Sequence, residues 1–131
     1  MLVLNPSEVV FAGEAWKNVR SVTVDRVAEV VIAERGEGGA EVVFADVASV
    51  RVNVKVAREM NESDVSTPRP GQSAVLVFVT SLGASDAQKK TVSMQAVVTS
   101  VRHEVNARGA TRVVEFVAVS PDGHSDPVSV V

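Results

Sequence analysis

In Val50-Arg51-Val52-Asn53-Val54-Lys55-Val56, valine and a polar residue alternate without a break. A repeat of two puts the valines on one face of a β-strand and Arg51, Asn53 and Lys55 on the other; a helix would scatter them around its circumference. The same repeat returns twice. In 91–103, Val92, Met94, Ala96 and Val98 oppose Ser93, Gln95, Val97 and Thr99, and in 112–120, Val114, Phe116 and Ala118 oppose Val113, Glu115, Val117 and Val119. The turn-forming run 106–110 between them predicts a hairpin. Valine supplies 32 of the 131 residues, isoleucine one and tyrosine none, and valine's branched Cβ suits a pleated sheet better than a helix. The expected class is therefore all-β: an antiparallel β-sandwich or partly closed barrel with little helix. A chain of this size buries about two-thirds of its unfolded surface, enough for one core, so residues 1–131 read as a single domain.

Shorter segments fill in the plan. A strand is expected over 8–11, closed by Gly13, with Trp16 beyond it as a packing anchor. The alternation of 19–25 loses phase at Arg26-Val27-Ala28-Glu29 before Val30-Val31-Ile32-Ala33 resumes, which calls for a β-bulge or a short helical turn. Glycines make 34–39 a flexible connection. It leads into Glu41-Val42-Val43-Phe44, which is strand-like, whereas a phosphate-cradling loop would feed a helix. The polar run 61–72 holds two prolines and reads as a projecting loop, and 81–90 and 121–127 read as turn regions. Ala74-Val75-Leu76-Val77-Phe78-Val79 is apolar on both faces. An antiparallel strand of this kind needs cover on its second side, from another sheet or another subunit, which makes Val75, Val77 and Val79 a candidate subunit interface.

Reaction chemistry is sparse. Asp122, His124, Ser125 and Asp126 share one Pro-Gly loop, and short polar side chains are what turn chemistry alone would place there. No Walker, HExxH or nucleophile-elbow pattern occurs. With no cysteine there is neither a disulfide framework nor a thiolate site. The chain reads as a non-enzyme without cofactor or metal. A net charge of -3 argues against tight nucleic-acid binding, which draws on lysine and arginine to release phosphate counterions. No apolar run of about 20 residues is present to span a bilayer, and the start lacks the basic and apolar regions of a secretory signal. A soluble, unexported protein with no membrane partner is expected.

The order of segments carries a resemblance. Val43-Phe44-Ala45-Asp46-Val47 leading into Val50 through Arg58, then a Pro/Gly loop, then Val97-Val98-Thr99-Ser100-Val101 and Val114-Glu115-Phe116-Val117-Ala118-Val119-Ser120, resembles the small tail tube proteins of tailed bacteriophages and related contractile or gene-transfer particles. The similarity covers most of the chain. It implies a virion protein, assembled in the bacterial host cytoplasm, whose copies form rings, commonly hexamers, that stack into a tube alongside other tail proteins. DNA would pass through without being held. On that reading Arg51, Asn53, Lys55, Ser93 and Gln95 are candidates for a lumen or interface strand, and Asn61, Asp64 and Arg69 for a ring-stacking loop. Such proteins usually carry a short helix, which 85–90 or 26–33 would supply. A tail terminator, connector or baseplate subunit of the same particle is the neighbouring alternative, and a monomeric β-sandwich binding module for carbohydrate or protein the more distant one.

Overall fold

An alternating run becomes a strand only where neighbours take up its backbone N–H and C=O groups. In the computed structural model, which describes residues 2–3, 7–60, 68–80 and 89–131, these runs pair into nine strands. They are β1 (Leu2–Val3), β2 (Ser7–Phe11), β3 (Glu14–Trp16), β4 (Val19–Arg35), β5 (Val42–Met60), β6 (Ser73–Thr80), β7 (Lys90–Asn106), β8 (Gly109–Val119) and β9 (Ser129–Val130). All pairings are antiparallel. No helix occurs among the described residues, so none is long and apolar enough to cross a membrane. The all-β antiparallel class expected from the alternation is the class found.

One sequence ambiguity resolves as a bulge. Residues 26–33, a stretch from which the tail-tube resemblance would draw its helix, lie inside β4, and the β4–β5 register shifts between Ala28 and Val30 and again between Val30 and Val31. An extra residue on one strand changes which face its successors occupy without ending the ladder. The other candidate helix, 85–90, falls mostly outside the described residues.

The strands run in the order β1-β4-β5-β8-β7-β6-β2-β3, with β9 beside β7 on the flank that β8 leaves free. Chain connectivity forces this sheet to roll. Six strand spacings separate β4 from β3 in that order, roughly 29 Å if the sheet were flat. Only Lys17 and Asn18 join the two strands, and such a link reaches about 10 Å. The margins must therefore approach each other. Asn18 turns the corner with φ of 59°, and the Glu59 N–H donates to its carbonyl at 2.9 Å. Hydrogen-bonded pairing stops short of closure, leaving an open roll rather than a barrel.

Rolling gathers one face of every long strand into a single core: Val22 and Val24 from β4, Val52, Val54 and Val56 from β5, Leu76 and Phe78 from β6, Val92 to Val98 at alternate positions from β7, and Val114, Phe116 and Ala118 from β8. The face assignments read from β5, β7 and β8 all hold. Val9 and Phe11 from β2 and Trp16 from β3 plug the inside. Phe11, Trp16 and Phe116 form a tilted aromatic trio with centroids 5.0 to 6.0 Å apart. The β2–β3 hairpin turns on Ala12 and Gly13, both at positive φ, the geometry whose twist matches the flanking strands.

Two strands outrun the roll. β8 accompanies β5 only as far as the Asn53–Val117 pair, whereas the β4–β5 ladder continues to Arg35–Val42. Residues 27–50 thus form a two-stranded arm, about 30 Å long from nine residues per strand. Val50 keeps the phase of the buried valines yet is 59% exposed, because the cover ends before it. Of the expected projecting loop, 61–67 lie outside the described residues, and 68–72 are fastened down. Pro68 is buried, the Gly71 N–H donates to the Val98 carbonyl at 2.7 Å, and the Val98 N–H donates to the Gln72 carbonyl at 2.9 Å. Among the described residues, what projects is the arm.

Candidate functional site

Because inward and outward residues alternate, filling the core with one valine set leaves a second set outside. Val75, Val77 and Val79 lie on the outer face of β6, with Val75 half exposed. The polar candidates share that face. Ser93 stands between Val77 of β6 and Ser129 of β9, and Gln95 between Val75 of β6 and Val119 of β8. The Gln95 amide donates to Ser73 Oγ at 3.0 Å. One row further along, Ser73, Val97, Val117, Asn53 and Asp25 follow one another across five strands. Lys55 is flanked by Glu115 and Thr23. At the root of the arm the Arg51 Nε donates to Asn53 Oδ1 at 2.8 Å, and its guanidinium lies 3.7 Å from Glu29. The polar lumen candidates and the apolar interface candidates are therefore neighbours on one convex sheet face, with valine and hydrogen-bonding side chains interleaved.

The stacking-loop residues do not join this face. Asn61 and Asp64 lie outside the described residues. Arg69 is exposed, with its backbone carbonyl accepting from the Gln72 N–H at 3.1 Å.

The loop after β8 is organised by one carboxylate. Asp122 Oδ1 accepts from the backbone N–H groups of His124 and Ser125 at 2.8 and 2.7 Å, and Oδ2 from the Ser125 hydroxyl at 2.8 Å. These bonds, led by the two backbone donors, hold the Asp122 carboxyl well below the usual aspartate range. Asp126 is lowered too, first by the Val128 N–H and then by Arg26, whose guanidinium reaches it at 2.8 Å. A carboxylate so engaged shapes a turn. Since the folded state depresses the Asp122 value, its contribution is complete above the ordinary 3.8 and disappears as pH falls through the lower folded value. Protection of the His124 and Ser125 amides, taken relative to their intrinsic exchange rates, should accordingly be lost only under strongly acid conditions. In Asp122→Ala that protection should be absent at every pH, with the melting of the core unchanged. Protection at those amides that survives the substitution would refute this account.

At the end of the roll opposite the arm, the inward-facing row changes character. Arg58 on β5, Arg112 on β8 and His103 on β7 are cross-strand neighbours, continuing the phase of Val56, Val114 and Val101. Arg112 is only 4% exposed. Its guanidinium sits 4.8 Å from the Trp16 ring centroid, and that of Arg58 lies 5.9 Å from it, close enough for cation–π attraction. Burial pushes the Arg58 guanidinium down, partly countered by Glu14. Arg58 Nε and His103 Nε2 are buried and make no hydrogen bond. None of these three residues stands out in the sequence as a candidate site. Phase would have found the two arginines, since counting by twos from Val56 and Val114 places them inside the mouth of the roll, whereas His103 is turned inward only by the register shift between Val98 and Ser100.

Among the described residues no group of three or more histidine, cysteine, aspartate or glutamate side chains is placed to hold a metal ion. No family model matches the chain, and no curated protein matches it.

Proposed function

We propose that this chain is a structural subunit of a virion tail, whose copies associate into rings and whose rings stack into a tube that conducts DNA. The observation that carries this reading is the uncovered apolar surface. Val75 stands half exposed beside Val77 and Val79, and on the arm Val31, Ile32, Val43 and Phe44 are 49 to 69% exposed. Among the described residues the arm's two β-edges also keep backbone donors and acceptors without a neighbouring strand, since β8 and β9 pair elsewhere. Two-stranded ribbons are marginal alone in water, and open edges with apolar faces invite pairing. The valine face and the arm are different surfaces, so a contact between them is heterologous and generates rings or filaments rather than isolated dimers. The interleaved Arg51, Asn53, Lys55, Ser93 and Gln95 suit a wet wall, and a net charge of -3 gives passing DNA no counterion-release gain.

A tail terminator, connector or baseplate ring would draw on the same surfaces. A carbohydrate-binding module is disfavoured by its aromatics: Phe11, Trp16, Phe78 and Phe116 are buried and only Phe44 is exposed, so no ring pair offers a sugar platform. Negative-stain microscopy and light scattering of the purified protein decide the matter. Rings or tubes are expected, and a monodisperse particle of 13.8 kDa at all concentrations would overturn the proposal.

A further inference from the structure

The loop after β8 holds the one dipeptide of this chain that is prone to rearrange its own backbone. No aspartate or asparagine other than Asp122 is followed by glycine, and glycine, with no side chain, leaves its amide nitrogen free to approach the preceding carboxyl. When Gly123 N attacks Asp122 Cγ, the nitrogen gives up its proton and one carboxyl oxygen departs as water, closing a five-membered succinimide. Water then reopens the ring. Attack at the side-chain carbonyl restores aspartate, whereas attack at the main-chain carbonyl gives isoaspartate, in which the chain runs on through Cβ and Cγ. The water lost is regained, and no other reactant is used. Asp126 in the same loop cannot follow this route, because Pro127 has no N–H.

We propose that Asp122-Gly123 is a modification site, converting spontaneously to isoaspartate, which the folded loop holds closed and which reacts when the loop opens. Burial does not protect it, since residues 121–126 are all exposed to water. Hydrogen bonds do. The nucleophile, the Gly123 N–H, donates to Ser120 Oγ at 3.0 Å. Both carboxylate oxygens are also held. Oδ1 accepts from the His124 and Ser125 N–H groups and from the Ser120 hydroxyl at 3.1 Å, and Oδ2 from the Ser125 hydroxyl. These bonds favour the ionised carboxylate, whose oxygen is a poorer leaving group than that of the acid. Ser120 and Ser125 thus engage both reacting partners while standing outside the core. Conversion has a consequence beyond the dipeptide. Asp126 ties this loop to Arg26 at 2.8 Å, next to the first residue of the arm, and an extra main-chain atom between 122 and 123 displaces the acceptor of the His124 and Ser125 amides and slackens that tie.

The experiment incubates the purified protein at neutral pH and scores isoaspartate by enzymatic methylation of the isoaspartyl carboxyl and by chromatography of the tryptic peptide 113–131. The chain denatured in guanidinium chloride should convert. The folded chain should convert at least about tenfold more slowly, the factor that one retained hydrogen bond to a charged group supplies. Ser120→Ala and Ser125→Ala, each checked for folding by circular dichroism melting, should both convert faster than wild type, and the double variant about tenfold faster. Refolded chains that carry isoaspartate should lack protection at the His124, Ser125 and Val128 amides, the last of which donates to Asp126 Oδ1 at 3.0 Å. Protection retained at all three overturns the consequence for the tie. A denatured chain that forms no isoaspartate at 122, a folded wild type that converts as fast as the denatured chain, or a folded double variant no faster than wild type overturns the proposal itself. None of these outcomes turns on whether copies assemble.

Discussion

Phe116→Ala is expected to destabilise the fold by about 4 kcal/mol, combining the loss of a buried aromatic with the void it leaves. Phe116 is 1% exposed and lies at the centre of the trio, 5.0 Å from Phe11 and 6.0 Å from Trp16; such ring pairs contribute about 0.5 to 1.5 kcal/mol beyond area burial. The trio joins β2 and β3 at one margin of the rolled sheet to β8 at its middle, so neighbours cannot collapse into the void without unrolling the sheet. Against a total stability of roughly 5 to 15 kcal/mol this is a large share, and thermal unfolding should fall by roughly 15 °C for a domain of this size. Val117→Thr, on the outer face of the same strand, should cost less than about 1 kcal/mol. Calorimetry of the pair is the check, and equal losses would mean that the inside and outside of β8 have been confused.

Replacing residues 29–49 by Asn-Gly, between the paired Ala28 and Val50, should abolish assembly while leaving the body folded. Among the described residues the arm's β4 edge and β5 edge find no third strand beyond the β1 and β8 pairings, and Val31, Ile32, Val43 and Phe44 face water. Its removal takes little from the core. The unfolding midpoint of the shortened protein should stay within about 1 kcal/mol of the full chain under conditions where both are dispersed. Light scattering should then report a monomer at concentrations where the full chain assembles. Undiminished assembly by the shortened protein would remove the arm from the interface, and a body that no longer folds would show that the arm contributes to the core after all.

Much of the fold is legible because β5, β8 and β7 as far as Val98 obey a two-residue period, and each valine that the period places inside is inside as far as the partner strand extends. What the period does not encode is where a neighbour stops. Val50 and Val52 are indistinguishable in sequence, yet Val52 is buried and Val50 looks out from the arm, a difference fixed by β8 turning away after Val119. The arm is therefore hidden inside a run that reads as ordinary strand. Residues 26–29 leave bulge and helical turn open, and the long β5 partner decides between them by supplying a ladder. Arg58 and Arg112 escape notice because charged residues are expected outside, although their phase points inward, and His103 because the register shift between Val98 and Ser100 turns inward a position that the period of Val92 to Val98 places outside. The outer-face candidates are readable one strand at a time, while their adjacency across β6, β7, β8 and β5 depends on a strand order that no local pattern specifies.

The two-residue link of Lys17 and Asn18 also bears on how quickly this molecule can form. The β4–β5 and β7–β8 ribbons close over short separations, but β5 must find β8 and β2 must find β6 across some fifty or more intervening residues, and the corner at Asn18 can lock only after both searches succeed. Topologies dominated by such distant encounters acquire their native state in roughly milliseconds to seconds rather than microseconds. Trp16, adjoining that corner and the last of the plug to be enclosed, is the natural fluorescent clock for the event. A stopped-flow signal from it that finished within microseconds would mean that the roll zips up locally after all.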